Sequence, residues 1–257
     1  MKTAYEAYYS IKKIYTDNPY SIVFSILSTM LVLCIVMLMN IIEKVVFIEE
    51  NIISIQFIIF NIASQLLYTG MMIGLIKMMF TIIDEKEKKI INIFNYFELL
   101  PKVLIASIIN YALLFLSLIP SIIIIYIKYG IENLKLLYDY LLNQDPAFNA
   151  LINSYVNNLE IIVLLLLIIM PLVFISLKTA FMNFYIIDQK NHPIQALKNS
   201  WLITNNNGQN ILLIILIISL INIIIGMISL GVGLLLTFPL SLLYFCQYFR
   251  TINNKSL

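Results

Sequence analysis

Phe80-Thr81-Ile82-Ile83-Asp84-Glu85-Lys86 closes one long apolar stretch, and Phe184-Tyr185-Ile186-Ile187-Asp188-Gln189-Lys190 closes another. The two align without a gap, and the same register sets Ile90 on Ile194, Asn95 on Asn199 and Phe97 on Trp201. In each copy an apolar run ends at an acidic-basic turn and leads into a short segment with one apolar face. Chance likeness among isoleucine-rich segments is the competing explanation, but the shared polar positions favour duplication. A weaker third copy opens the chain, where Tyr5, Tyr8, Tyr9, Ile11 and Tyr15 precede Asp17-Asn18-Pro19 and a further apolar run.

The runs that these exits close are long enough to cross a bilayer. About 20 apolar residues in a helix cover the roughly 30 Å hydrocarbon core, and a helix keeps its backbone polar groups paired there. Six stretches qualify, approximately Tyr20–Ile42, Ile52–Ile83, Val103–Ile127, Ile161–Ile187, Gln209–Ile228 and Val232–Phe249. Composition agrees. Of 257 residues, 61% are hydrophobic and only 12% are charged, half the roughly 25% of a soluble domain. The expected fold is therefore an all-α membrane protein with six transmembrane helices in three hairpins. Each hairpin is expected to follow a cytoplasmic interfacial amphipathic helix. The whole of 1–257 reads as a single integral membrane domain with pseudo-repeats at about 1–83, 84–187 and 188–257.

Basic residues set the expected orientation, because cytoplasmic loops hold the excess of Lys and Arg. With the N-terminus inside, Lys2, Lys12, Lys13, Lys86, Lys88, Lys89, Lys102, Lys190, Lys198, Arg250 and Lys255 collect on the inner side. Only Lys44, Lys128 and Lys135 fall outside, while Lys77 and Lys178 lie at inner helix ends where they can snorkel. Both termini are thus expected in the cytoplasm. The first apolar run is too long for a signal-peptide core and lacks a small-x-small cleavage site, so it reads as a retained span. Ile131, Leu134, Tyr138 and Leu141, then Asp145-Pro146 and a second stripe from Phe148 to Leu159, suggest an outer-side helical insertion at about 129–159.

The polar inventory points away from catalysis. His192 is the one histidine and reads as a solvated loop residue, which excludes multi-histidine metal sites. Asp84, Glu85 and Glu87 alternate with Lys86, Lys88 and Lys89, as in a solvated mixed-charge turn. No serine has a base in a recognisable arrangement, Gly231-x-Gly233 fits a tight hairpin rather than a phosphate loop, and no cofactor is expected. Cys34 and Cys246 are expected at different depths, as two unpaired apolar side chains. Gly70 and Gly74 form a G-x-x-x-G, a candidate helix-packing surface. Asn61, Gln65, Asn110 and Asn222 are the candidate intramembrane polar cluster. Amides of this kind commonly tie helices together, and the competing reading is a shared cavity. Ile194, Leu197 and Trp201 form the candidate interfacial helix face, with Asn205 to Gln209 expected to turn the chain into the next span.

Tyr185 to Asp188, Gln195 to Trp201 and the final Gly231-Val232-Gly233-Leu234-Leu235-Leu236-Thr237-Phe238-Pro239-Leu240 together resemble the YciC-like bacterial inner-membrane proteins. They also resemble the related membrane domain of some glycerophosphodiester phosphodiesterases. The likeness is best over the last 75 residues and weak over the first span and the outer segment. It implies about six spans and no established activity, and no soluble phosphodiesterase domain follows here. The expected function is that of a non-enzymatic envelope or accessory protein of the bacterial inner membrane. Its expected partners are membrane lipids or a protein, and not nucleic acid, since the net charge is only +2 and the lysines are scattered. The alternative is a carrier or passive pathway for a small apolar or amphiphilic molecule. Acidic residues are missing from every expected span centre, which argues against an ion-driven transporter.

Overall fold

Ala7, Ile11 and Ile14 recur at helical spacing, and they form the buried stripe of α1 (Lys2–Asp17), leaving Tyr5, Tyr8 and Tyr9 exposed. Pro19 disfavours helical geometry in the residue before it, so α1 ends and α2 (Tyr20–Val46) begins anew. The computed structural model describes residues 2–46, 54–86, 89–143 and 158–256, and these are helical apart from short connections. The remaining helices are α3 (Ile55–Ile83), a 3-10 segment (Ile90–Leu99), α4 (Leu100–Asn143), α5 (Asn158–Thr179), α6 (Met182–Gln189), α7 (Pro193–Ile228) and α8 (Leu234–Ser256).

Among the described residues, five helical stretches are long and apolar enough to cross a membrane: Tyr20–Val46, Ile55–Ile83, Ile90–Ile127, Leu165–Gln189 and Pro193–Ile228. Their surfaces carry Met37, Leu38, Ile59, Ile62, Leu216, Ile217, Leu220 and Ile224 in the open. Water would penalise such contiguous apolar exposure, and lipid does not. The chain is therefore a helical, multi-pass membrane protein. α8 shares its apolar start with Tyr244, Gln247 and Arg250, and it is not among the five.

The chain divides into two compact units, Met1–Ala106 with Ala180–Leu257, and Ser107–Thr179. In the first, Met71, Leu75, Met79 and Phe80 of α3 pack with Phe181 and Ile186 near α6 and with Leu243, Cys246 and Phe249 of α8. The α2 face turned inward is narrow and hydroxylated: Ser21, Ser25, Ser28 and Thr29 are buried. Ser25, Ser28 and Thr29 donate to the carbonyls of Ile22, Phe24 and Ser25 on their own helix. Both cysteines are unpaired, Cys34 exposed and Cys246 buried.

In the second unit two spans each contain a proline, Pro120 in α4 and Pro171 in α5. A proline has no N–H for the carbonyl four residues earlier, and for Pro171 that carbonyl belongs to Leu167. Ser121 fills the gap, its Oγ donating to the Leu167 carbonyl at 2.7 Å. α4 then bends at Gly130, where φ is 71°, at the start of the expected outer insertion. The helix continues to Asn143, whereas Asp145-Pro146 and most of the stripe after it lie outside the described residues.

One expected turn is absent. Asn205 to Gln209 continue the helix, so the expected interfacial helix and the next span are one 36-residue element, α7. Gly208 costs a helix only about 1 kcal/mol relative to alanine, and its surroundings are open. Asn207 donates back to the Ile203 carbonyl at 3.0 Å. With no proline present, nothing outweighs the backbone hydrogen bonds of continuity.

Candidate functional site

The two matched stretches meet. Phe80 and Phe184 pack edge to face with centroids 6.1 Å apart, and Phe249 of α8 completes the cluster at 6.1 Å from Phe80 and 5.7 Å from Phe184. One helical turn beyond each of the first two rings stand Asp84 and Asp188, and directly after the third stands Arg250. The guanidinium grips Asp188 with a two-pronged fork, Nε to Oδ2 at 3.1 Å and Nη2 to Oδ1 at 2.8 Å. Its Nη1 donates to Asp84 Oδ1, and Nη2 lies 3.4 Å from Asp84 Oδ2. The guanidinium carbon also lies 4.8 Å above the Phe80 ring, a favourable stacking of cation on π-face.

Two lysines complete this clasp. Lys77, two turns before Asp84, reaches Asp188 at 3.7 Å, and Lys86 donates to Asp84 at 3.0 Å. The side chains are partly covered, Asp188 at 13% exposure and Asp84 at 26%. Partial burial pushes the Asp84 carboxyl up, but hydrogen bonds from Arg250 and Lys86 outweigh it and hold Asp84 below its ordinary value. Burial disfavours charge on Arg250, and the two aspartates reverse this and raise its affinity for the proton. Chemically the clasp is an ion-pair network joining three helix ends. It differs from the solvated turn expected at residues 84–89, because Asp84 is bound to a side chain 166 residues away. Lys77 likewise turns toward Asp188.

The 3-10 segment of the same chain lies against Gly70 and Gly74. A Cβ on Gly74 would run into the backbone carbonyl of Ile93, and one on Gly70 into the ring of Phe97. The positions that match Ile93 and Phe97 in the second copy are Leu197 and Trp201. Ile194 is 66% exposed and Leu197 and Trp201 are half-buried, while Pro193, Ala196, Ser200, Ile203 and Thr204 carry the packing. Ser200 Oγ accepts the Phe181 N–H at 3.2 Å, serving the break at Ala180-Phe181 between α5 and α6.

Asn61 and Gln65 line one groove between α2 and α3. Asn222 donates to Ser241 Oγ at 3.1 Å, linking α7 to α8. Asn110 is on α4 in the 107–179 unit, where its Oδ1 is buried without a hydrogen-bond partner. Sequence reasoning missed the role of Arg250 and of Ser121. For Arg250 a signal existed, since Phe249-Arg250 supplies a ring and an opposite charge for the repeated Phe-x-x-x-Asp. For Ser121 there was none beyond the neighbouring Pro120.

Among the described residues no three His, Cys, Asp or Glu side chains gather where they could hold a metal ion. Comparison with protein-family models, curated proteins and solved structures returns no match to this chain.

Proposed function

We propose that this is a non-enzymatic, multi-pass protein of the bacterial inner membrane that serves the envelope by engaging lipid or a protein partner. In this reading α8 is the sixth span, both termini are cytoplasmic, and the three interfacial stretches, α1, Ile90–Leu99 and the start of α7, lie at the inner leaflet. The distribution of lysine and arginine supports that orientation. The likeness of residues 185–201 and 231–240 to the YciC-like proteins supports the family assignment.

One observation carries the accessory role. Ile194 is exposed and Leu197 and Trp201 are only half-buried, on the flank of a helix whose packing is done by Pro193, Ala196, Ser200, Ile203 and Thr204. A helix that needed this apolar face for its own stability would turn it inward. Replacing Ile194 and Trp201 by aspartate tests the role, because neither residue is in the buried core. The expected outcome is normal insertion with loss of a co-purifying lipid or protein in native mass spectrometry. Unchanged association in the inserted double variant would remove the accessory reading.

The carrier reading has support of its own, the groove that brings Asn61 and Gln65 together. Movement of an amphiphile between leaflets, measured in vesicles with and without the protein, tests that reading separately.

A further inference from the structure

The α2–α3 groove has a volume of about 370 Å³, within the roughly 300–1,000 Å³ of small-molecule sites. Its lining is sorted along its length. Glu43 in the last turn of α2, with Asn40 one turn before it, faces Asn61, Ser64 and Gln65 from the first half of α3. Farther along both helices the walls are Ile35, Val36, Leu67, Met71 and the ring of Tyr68. One end is therefore polar and adjoins the hairpin tip, and the other is apolar and runs toward mid-span.

The polar end offers acceptors. Asn61 donates one of its two amide N–H groups to the Phe57 carbonyl at 3.0 Å, and its Oδ1 is left as an acceptor. Ser64 Oγ is buried without a hydrogen-bond partner, a cost of about 1–3 kcal/mol unless a ligand meets it. Glu43 is the one charged residue of the lining. Among the described residues it forms no ion pair. A negative charge beside amide and hydroxyl oxygens, at the mouth of an apolar slot in a membrane, selects a cationic head bearing N–H donors on an apolar tail.

We propose that this groove is a binding site for an amphiphile with a primary ammonium head, seated on Glu43, Asn61, Ser64 and Gln65 with its tail along Leu67 and Met71. A phosphate-only or sulfate head would meet the Glu43 charge, and a quaternary ammonium would leave the oxygens without donors. The site stands on the groove alone, whether or not the protein moves its ligand or recruits a partner through α7.

The test uses the full-length protein in nanodiscs of phosphatidylglycerol and a photoreactive twelve-carbon primary amine, with the chain-matched alcohol and trimethylammonium analogues as controls. The amine is expected to label the facing stretches of α2 and α3 saturably. The alcohol and the trimethylammonium compound should bind at least about tenfold more weakly, and Glu43→Gln should weaken the amine by about tenfold. If Glu43→Gln fails to insert, Gln65→Leu, at an exposed position, is expected to reduce labelling severalfold. Nanodiscs containing phosphatidylethanolamine distinguish the source. Suppressed labelling there identifies a bilayer aminophospholipid as the occupant, and undiminished labelling identifies a free long-chain amine. Equal labelling by amine and alcohol, or labelling indifferent to both substitutions, overturns the proposal.

Discussion

The stretch after α3 and the stretch after α6 begin from nearly the same sequence and reach different structures. After Asp84 the chain enters a 3-10 segment that lies on Gly70 and Gly74, its backbone close against α3. After Asp188 it enters an α-helix that starts at Pro193 and runs on unbroken to Ile228. Pro193 presets helical φ at a position where its missing N–H costs nothing. The first stretch has no such proline and instead has a glycine seat. Even the left-handed residue that ends each exit differs by one position, Glu85 in the first and Lys190 in the second. Matching apolar and polar positions thus fix where the chain leaves the membrane, and the partner surface decides the helix type that follows.

Filling the glycine seat should have the largest effect. Gly74→Val would force the Ile93 backbone away, and a carbonyl on the neighbouring strand of chain cannot rotate aside as a side chain can. We expect loss of several kcal/mol of stability, on the scale of core overpacking and lost packing together, seen as a collapse of monodisperse yield after detergent extraction. Gly70→Ala meets only the Phe97 ring and should cost less. At the second exit, where the matched Trp201 is half-buried, Trp201→Ala should leave yield nearly intact. Equal sensitivity at the two exits would break the comparison.

The clasp that joins the exits ranks next. Arg250→Leu leaves Asp84 and Asp188 facing each other with only Lys77 and Lys86 for company. The partial exposure of these groups places the cost between a surface and a buried pair, about 1–3 kcal/mol, readable as a lower thermal midpoint. Asp188→Asn should cost more than Asp84→Asn, since Asp188 is more covered and holds the fork. The depressed Asp84 value fixes the sign with pH. Its stabilisation is complete above the ordinary carboxylate value of about 3.9 and is lost as pH falls through the lower folded value. Acid sensitivity in that window should shrink in Arg250→Leu. A wild-type midpoint that does not fall below pH 4 would falsify this account of Asp84.

Ser200→Ala gives the smallest change. It withdraws the acceptor of the Phe181 N–H at the α5–α6 break, worth about 1 kcal/mol. It sharpens the comparison because the matching position at the first exit is Tyr96 rather than a serine.

The sequence pattern revealed much of this. Apolar run lengths locate the five apolar helices, Pro19 and Pro193 mark helix starts, and the Gly70–Gly74 spacing marks a close approach. What remained hidden depends on distant encounters. Arg250 looks like one more inner-side cation until α8 brings it beside Asp188. Gly70 and Gly74 do not say that their occupant is the following segment rather than a second span. The amides Asn61, Gln65 and Asn222 have similar local settings, and only the packing of α2 on α3 and of α7 on α8 separates them. The continuity of α7 was misread because Asn205 to Gln209 looks turn-like in composition, whereas helix continuity is set by competing tertiary contacts, and none breaks it there.

The order of synthesis gives the clasp a further consequence. Asp84 leaves the ribosome 166 residues before Arg250, and Asp188 leaves 62 residues before it. During that interval both carboxylates wait at the membrane boundary without the guanidinium that later neutralises them. The guanidinium arrives only with the final helix, so the ion pair is the last of the clasp to form. A nascent or truncated chain lacking α8 has only Lys77 and Lys86 beside the two carboxylates, one cation fewer than the finished chain.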